Sequence, residues 1–157
     1  MAQTALDATD MRILAALMRD ARLSNVELAQ KVNLSESPCL RRVKRMEQEG
    51  ILTGARALVD RKAVGLGLTV FTGLKVERHS RDNAEAVAAR LGALPEVVSC
   101  HMVSGEADFL IEVVVPDLDA YEAFLTDRLL TLPMIKDIRS NFSLRTIKTD
   151  GPLPLGG

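Results

Sequence analysis

The chain has 157 residues, 47% hydrophobic and 26% charged, a globular composition with room for one ordinary domain or two small ones. A net charge of -1 excludes a general polyanion binder, and no apolar run approaches the ~18 residues a membrane span needs. The opening "MAQTALDATD" lacks the charged and apolar regions of a secretory leader, and Cys39 and Cys100 lie far apart outside any CxxC pattern, so both are expected as reduced thiols in a cytoplasmic protein.

Helical signals fill the first third. Asp7 is a good N-cap for a helix beginning near Ala8, with Ile13, Leu14, Leu17 and Met18 at helical spacing. Ser24 with Glu27 three residues on makes a capping box for a second helix, whose apolar stripe is Leu28, Ala29 and Val32. After the turn "NLS", Ser35 is placed to cap a third helix that runs to about Glu49 and stops at Gly50. The following residues 55–59 read as a short hinge strand.

Beyond the hinge the pattern alternates. "LTVFTGLKV" reads as a strand, "DNAEAVAARLGAL" as a helix with Ala86, Val87, Leu91 and Leu94 inward, and "VVSCHMVSG" and "ADFLIEVVV" as two strands joined at Gly105 and Glu106. "DLDAYEAFLTDRLLTL" reads as a helix closed by Pro133, with Tyr121 and Phe124 packed on the sheet, and residues 135–147 as a last strand. The order βαββαβ is that of ferredoxin-like folds. The chain is thus α+β, divided into a helix-turn-helix domain (1–54), a hinge strand and linker (55–67), a ferredoxin-like domain (68–148) and a loose tail (149–157).

Four basic residues, Arg41, Arg42, Lys44 and Arg45, fall within five positions of the third helix. At ~100° per residue, Leu40, Val43, Met46 and the stem of Glu47 share one side. Ser37, Pro38, Arg41, Arg45 and Gln48 share the other, flanked by Arg42 and Lys44. Pro38 is tolerated in the first turn, where no intrahelical N–H partner is lost. Three short helices with a tight turn before the last make a helix-turn-helix, whose last helix enters the major groove. Ser37 and Arg41 suit base edges. Arg42, Lys44 and Arg45 suit phosphates, as do Ser24, Asn25 and the N–H groups opening the second helix. With Ser35 and Pro38 in the first turn, these form the expected interface with double-stranded DNA. The alternative is a merely solvated basic face, against which the preceding helix, the tight turn and the small residues all count.

The segment "LDATDMRILAALMRDARLSNVELAQKVNLSESPCLRRVKRMEQEGILTGARALVD" resembles the DNA-binding half of the Lrp/AsnC (feast/famine) transcriptional regulators. "VSGEADFLIEVVVPDLDAYEAFL" and "LTLPMIKDIRSNFSL" resemble their ligand-sensing half, a βαββαβ (RAM-type) domain, so that the resemblance spans residues 6–147. It implies homo-oligomers, dimers assembling into tetramers or octamers, and an amino-acid effector bound at the turn Ser104, Gly105, Glu106, Ala107 and Asp108. The chemistry is compatible: an amino acid needs N–H donors for its carboxylate and an acceptor for its ammonium, which a glycine turn and Asp108 supply. The other reading of Asp108 is a cap on backbone N–H groups. Cys100 and His101, on opposite faces of a strand, and the distant His79 lack metal-ligand spacing, and no nucleophile, phosphate loop or cofactor motif accompanies Glu106 and Asp108. No metal, cofactor or catalysis is therefore expected. Two further readings are an architectural DNA binder without effector and a ligand-binding regulatory subunit of an enzyme.

Overall fold

Asp7 opens the first helix, α1 (Ala8–Arg19): its Oδ1 accepts the N–H groups of Thr9 and Asp10, each at 2.8 Å, and Asp10 returns an oxygen to the Asp7 N–H at 3.2 Å. The structure, a computed structural model, describes residues 5–77, 81–132 and 134–155, with the side chains of 81–83 left out. His79 and Pro133 lie outside the described residues. Ser24 and Glu27 make a second reciprocal box at α2 (Asn25–Lys31). Ser35 holds the N-cap position of α3 (Glu36–Gln48), but its hydroxyl makes no capping bond, contrary to expectation. At the other end Gly50 takes φ +69°, its N–H donates to the Glu47 carbonyl and that of Ile51 to Met46. This is the Schellman closure that a glycine permits.

Two compact units result, Met1–Ala57 with Lys148–Gly157, and Leu58–Ile147. The first encloses Ile13, Leu14, Leu28, Ala29, Val32, Cys39 and Met46. Leu40, expected inside, is 41% exposed, and Cys39 takes its place at 0%. Cys39, Val43 and Met46 are also spaced as a helical stripe, and a free cysteine behaves as a small hydrophobe that fits a close approach. Residues 55–59 form no strand, because a strand needs a ladder partner and none of the described residues pairs with them. The tail is not loose either. Leu155 packs against the first core, and Arg56 donates to Asp150 at 2.5 Å.

The second unit has the expected order: β1 (Leu68–Val76), α4 (Arg81–Gly92), β2 (Val97–Met102), β3 (Phe109–Val115), α5 (Leu118–Phe124) and β4 (Ile135–Phe142). They build an antiparallel sheet in the order β2-β3-β1-β4. The last strand stops five residues short of the expected 147, and α5 widens into π-helical winding over Leu125–Leu129. Alternation sends Val70, Leu74 and Val76 with Phe109, Ile111, Val113 and Val115 against Val87, Leu91, Tyr121, Phe124 and Leu129. Ala86 is exposed rather than inward. Thr72 lies in the same buried row, and its hydroxyl pairs with that of Tyr121 at 2.9 Å, which in turn reaches Ser140 at 2.6 Å. The opposite face carries Phe71 (41% exposed), Leu110 (38%) and Glu112. Arg61, ahead of a 3₁₀ turn at Lys62–Val64, lies along it, donating to Glu112 at 2.7 Å and Thr69 at 3.2 Å.

Ionic contacts tie the start of α1 to α3. Asp10 is 1% exposed, yet it is charged. Its Oδ1 accepts Arg42 Nη1 at 2.8 Å and its Oδ2 accepts Arg45 Nη2 at 2.6 Å. Burial pushes the Asp10 carboxyl up, but the bonds from Arg42, the Asp7 N–H and Arg45 outweigh it and hold it below the usual carboxylate range. The Asp10 N–H and the Arg42 guanidinium likewise lower Asp7 to about 2. Lowered folded-state values mean that the unfolded chain binds protons more readily. The stability these carboxylates contribute is therefore complete above the ordinary Asp value of ~3.9. It is lost as pH falls through the folded values. Asp10→Asn is expected to cost about 2 kcal/mol near neutral pH. In urea unfolding followed by helical circular dichroism, its gap from the parent should narrow as pH falls from about 5 to about 2. A gap that stays constant over that range would show that the contact is not ionic.

Candidate nucleic-acid interface and effector turn

The outer side of α3 borders an open concavity lined by Ser37, Leu40, Arg41, Arg42, Lys44, Arg45 and Gln48, with Asp7 from the start of α1. Arg41 and Lys44 project into solvent. Arg42 and Arg45 do not: their side chains are 28% and 38% exposed, and each gives a nitrogen to Asp10. Arg42 Nη1 also donates to Asp7 Oδ2 at 2.7 Å. The structure thus gathers Ser37 and all four basic residues, but divides the latter into two outward cations and two that are partly engaged. Pro38 is half-buried in the first turn of α3 and Ser35 is exposed beside it. The Ser24 hydroxyl donates to Glu27 at 2.7 Å, and the Asn25 amide donates to the Glu36 carbonyl at 3.1 Å, so Asn25 stitches α2 to α3.

Sequence reasoning missed Asp7 and Asp10 as partners of the basic residues. The signal was present in outline: two carboxylates three apart at a helix start, and Arg42 and Arg45 three apart on one face of α3. Chemically, the concavity offers a guanidinium, an ammonium, a hydroxyl and an amide within one helix face. Those groups suit phosphate oxygens and base edges.

Residues 104–108 join β2 to β3, and Gly105 has φ +131°, where a side chain is strained. Ser104, Gly105 and Glu106 are exposed, Ala107 and Asp108 half-buried. Asp108 pins the turn to β1. Its N–H donates to the Leu74 carbonyl at 2.9 Å, and its Oδ2 accepts the Val76 N–H at 3.0 Å. Ala107 sits over Gly73, where an added Cβ would lie 3.4 Å from the Ala107 Cβ. Glu106 accepts from Arg139 of β4 at 2.5 Å, a partner that only the strand register reveals. Cys100 is half-buried, which pushes its thiol up, while His101 faces the other way and bonds Ser99 Oγ at 2.8 Å. Among the described residues no His, Cys, Asp and Glu side chains gather as a metal-holding cluster, and no helix is long and apolar enough to cross a membrane.

Comparison with known proteins agrees with both halves. Residues 69–153 match the family described as the Lrp/AsnC ligand binding domain, and residues 6–53 match winged helix-turn-helix DNA-binding domains. The chain is 40% identical to the Bkd operon transcriptional regulator of Pseudomonas aeruginosa, over 96% of this chain and 98% of that one. It is 38% identical to the leucine-responsive regulatory protein of Escherichia coli, over 94% and 90%. Among solved structures, a Neisseria meningitidis transcriptional regulator in complex with L-Met superposes with a TM-score of 0.91 at 40% identity, covering 97% of this chain and 98% of that one. AsnC of E. coli gives 0.83 at 30% identity, covering 92% and 96%. These relatives are transcriptional regulators rather than enzymes, and with a helix-turn-helix and a ligand-binding domain in one chain, this protein belongs to the Lrp/AsnC family of transcriptional regulators.

Proposed function

We propose that the protein reads duplex DNA in the cytoplasm through α3, as a homo-oligomer, and adjusts that binding to a free amino acid held at residues 104–108. The observation that carries the DNA reading is the concavity beside α3, where Arg41 and Lys44 stand outward beside Ser37 and Gln48. Arg41 contacts a base edge and Lys44 a phosphate. Ser24, Asn25 and Ser35 border the same duplex, with the Asn25 side chain acting through its hold on Glu36. Arg41→Ala should cost about 1–3 kcal/mol of discrimination at one base position, read by mobility shift on the DNA upstream of the protein's own gene and on point variants of it. Unchanged affinity and unchanged base preference would remove Arg41 from the interface.

The amino-acid reading rests on the ligand-binding match, on relatives named for leucine response and on the L-Met complex of the Neisseria protein. The N–H groups around Gly105 and Glu106 would hold the effector carboxylate, and Asp108 the ammonium, while it keeps the Val76 N–H. A thermal-shift screen of free amino acids, methionine and leucine first, selects the ligand, since a molecule bound only by the folded state raises the melting temperature. For that ligand Asp108→Asn should lower affinity by ~10–100-fold while leaving effector-free DNA binding unchanged. Equal binding by both proteins would leave Asp108 as a support of the turn alone.

Assembly is assigned to the sheet face that α4 and α5 do not cover. Phe71 and Leu110 are part-exposed at its centre, an arrangement that a second copy would bury. Phe71→Glu should lower the sedimenting mass at micromolar concentration. A variant that sediments like the parent would place the interface elsewhere.

A further inference from the structure

Among the described residues, Asp7 is the one acidic side chain lining the α3 concavity. Its two oxygens do different things. Oδ1 caps α1 through the N–H groups of Thr9 and Asp10, whereas Oδ2 faces Arg42 Nη1 at 2.7 Å. That nitrogen carries two protons and meets two carboxylates: Asp10, 1% exposed, from within, and Asp7, with about half its side chain in solvent (52%), from the surface. The inner contact is sheltered from salt and water. The outer one is an exposed ion pair, which contributes little and exchanges readily.

We propose that Asp7 is an internal stand-in for a backbone phosphate: in the free protein its Oδ2 holds the outward proton of Arg42, and a DNA phosphate displaces it on binding. The proposal rests on the reading of α3 as the DNA-contacting helix. A phosphate oxygen accepts the same N–H as a carboxylate oxygen and carries the same sign of charge, so one replaces the other without moving the guanidinium. Asp10 is the positioning residue in this exchange, since it holds Arg42 from the buried side whichever acceptor sits outside. Each exchange leaves Asp7 as a free carboxylate beside the duplex, which takes up a cation and cancels part of the counterion release that drives binding. Asp7 thereby lowers affinity for any sequence, and leaves base contacts such as that of Arg41 a larger share in choosing the site.

Asp7→Asn tests this, because asparagine keeps the capping oxygen and removes the charge. Binding of the full-length protein to a mixed-sequence duplex is measured by fluorescence anisotropy across a potassium chloride series. The variant should bind about two- to five-fold tighter at low salt. Its plot of log affinity against log salt should be steeper by ~1. In an Arg42→Gln background the same change should gain less, since the exchanging donor is gone. Unchanged or weaker binding by a folded Asp7→Asn protein overturns the proposal, and so does an equal gain in the Arg42→Gln background. Should asparagine unsettle α1, Asp7→Ser retains a capping oxygen and carries the same expectations. Arg41→Ala separates the two levels. If it weakens binding while Asp7→Asn fails to tighten it, only the exchange is wrong. If neither variant alters binding, the placement of α3 on DNA is wrong as well.

Discussion

A carboxylate removed from water must be met by charge or by N–H groups, and Asp10 is met by both. This requirement shapes the first unit. To satisfy Asp10, α3 must lie with Arg42 and Arg45 toward the start of α1, which sets the roll of α3 about its own axis. Once that roll is set, Cys39 and Met46 point inward and Arg41 and Lys44 outward. Replacing a buried ion pair by apolar groups is often neutral or stabilising, so its value here lies in geometry more than in net free energy. Hydrophobic packing among Ile13, Leu28 and Met46 drives the helices together. It is much less selective about the rotation at which they meet.

The second unit solves the same problem with neutral groups. Thr72 occupies a row of apolar residues on β1 and is fully buried, so its hydroxyl needs a partner. Tyr121 from α5 supplies one and extends the chain of bonds to Ser140 on β4. A slip of one residue in either strand would send Thr72 or Ser140 to the other face and take one of its two partners from the tyrosine hydroxyl. The hydroxyl triad therefore ties α5 to one register of the β1–β4 pair. Asp108 does comparable work at the end of β1, where it takes the Val76 N–H and so anchors the turn whose neighbours are proposed to hold the effector.

What was legible in the sequence was local. The N-cap at Asp7, the capping box of Ser24 and Glu27, the closure at Gly50 and the βαββαβ order follow from residues within a few positions of one another, and the structure contains them all. Features that depend on distant partners were not legible. Asp10 meets Arg42 and Arg45 across 32 and 35 positions, so a helical wheel drawn on α3 alone left both arginines free for DNA. Hydropathy favoured Leu40 over Cys39 for the inner stripe, whereas close packing favoured the smaller side chain. The stretch 55–59 has strand-like residues but no partner among the described ones, and the tail looked loose because nothing near it in sequence announces Leu155 as a core contact. At the effector turn, the Glu106–Arg139 pair required the β1–β4 register, which no single segment encodes.

The charge balance of the reading face follows from these contacts. Of its four basic residues, Arg42 and Arg45 share Asp7 and Asp10, so the local surplus comes from Arg41 and Lys44. A chain of net charge -1 has no background field to draw it to DNA at large, and on the proposed reading its attraction would come from this small patch. On the proposed reading one protomer would neutralise few phosphates, and the electrostatic part of its affinity would be modest. Two such patches in the proposed dimer would add their contributions only when both helices meet the duplex together, at a spacing of about one helical turn or a multiple of it. When each contact is weak by itself, a pair held by only one helix stays largely unbound. On the proposed reading, the internal pairing of Arg42 with Asp7 holds down the affinity of a single protomer for duplex at large.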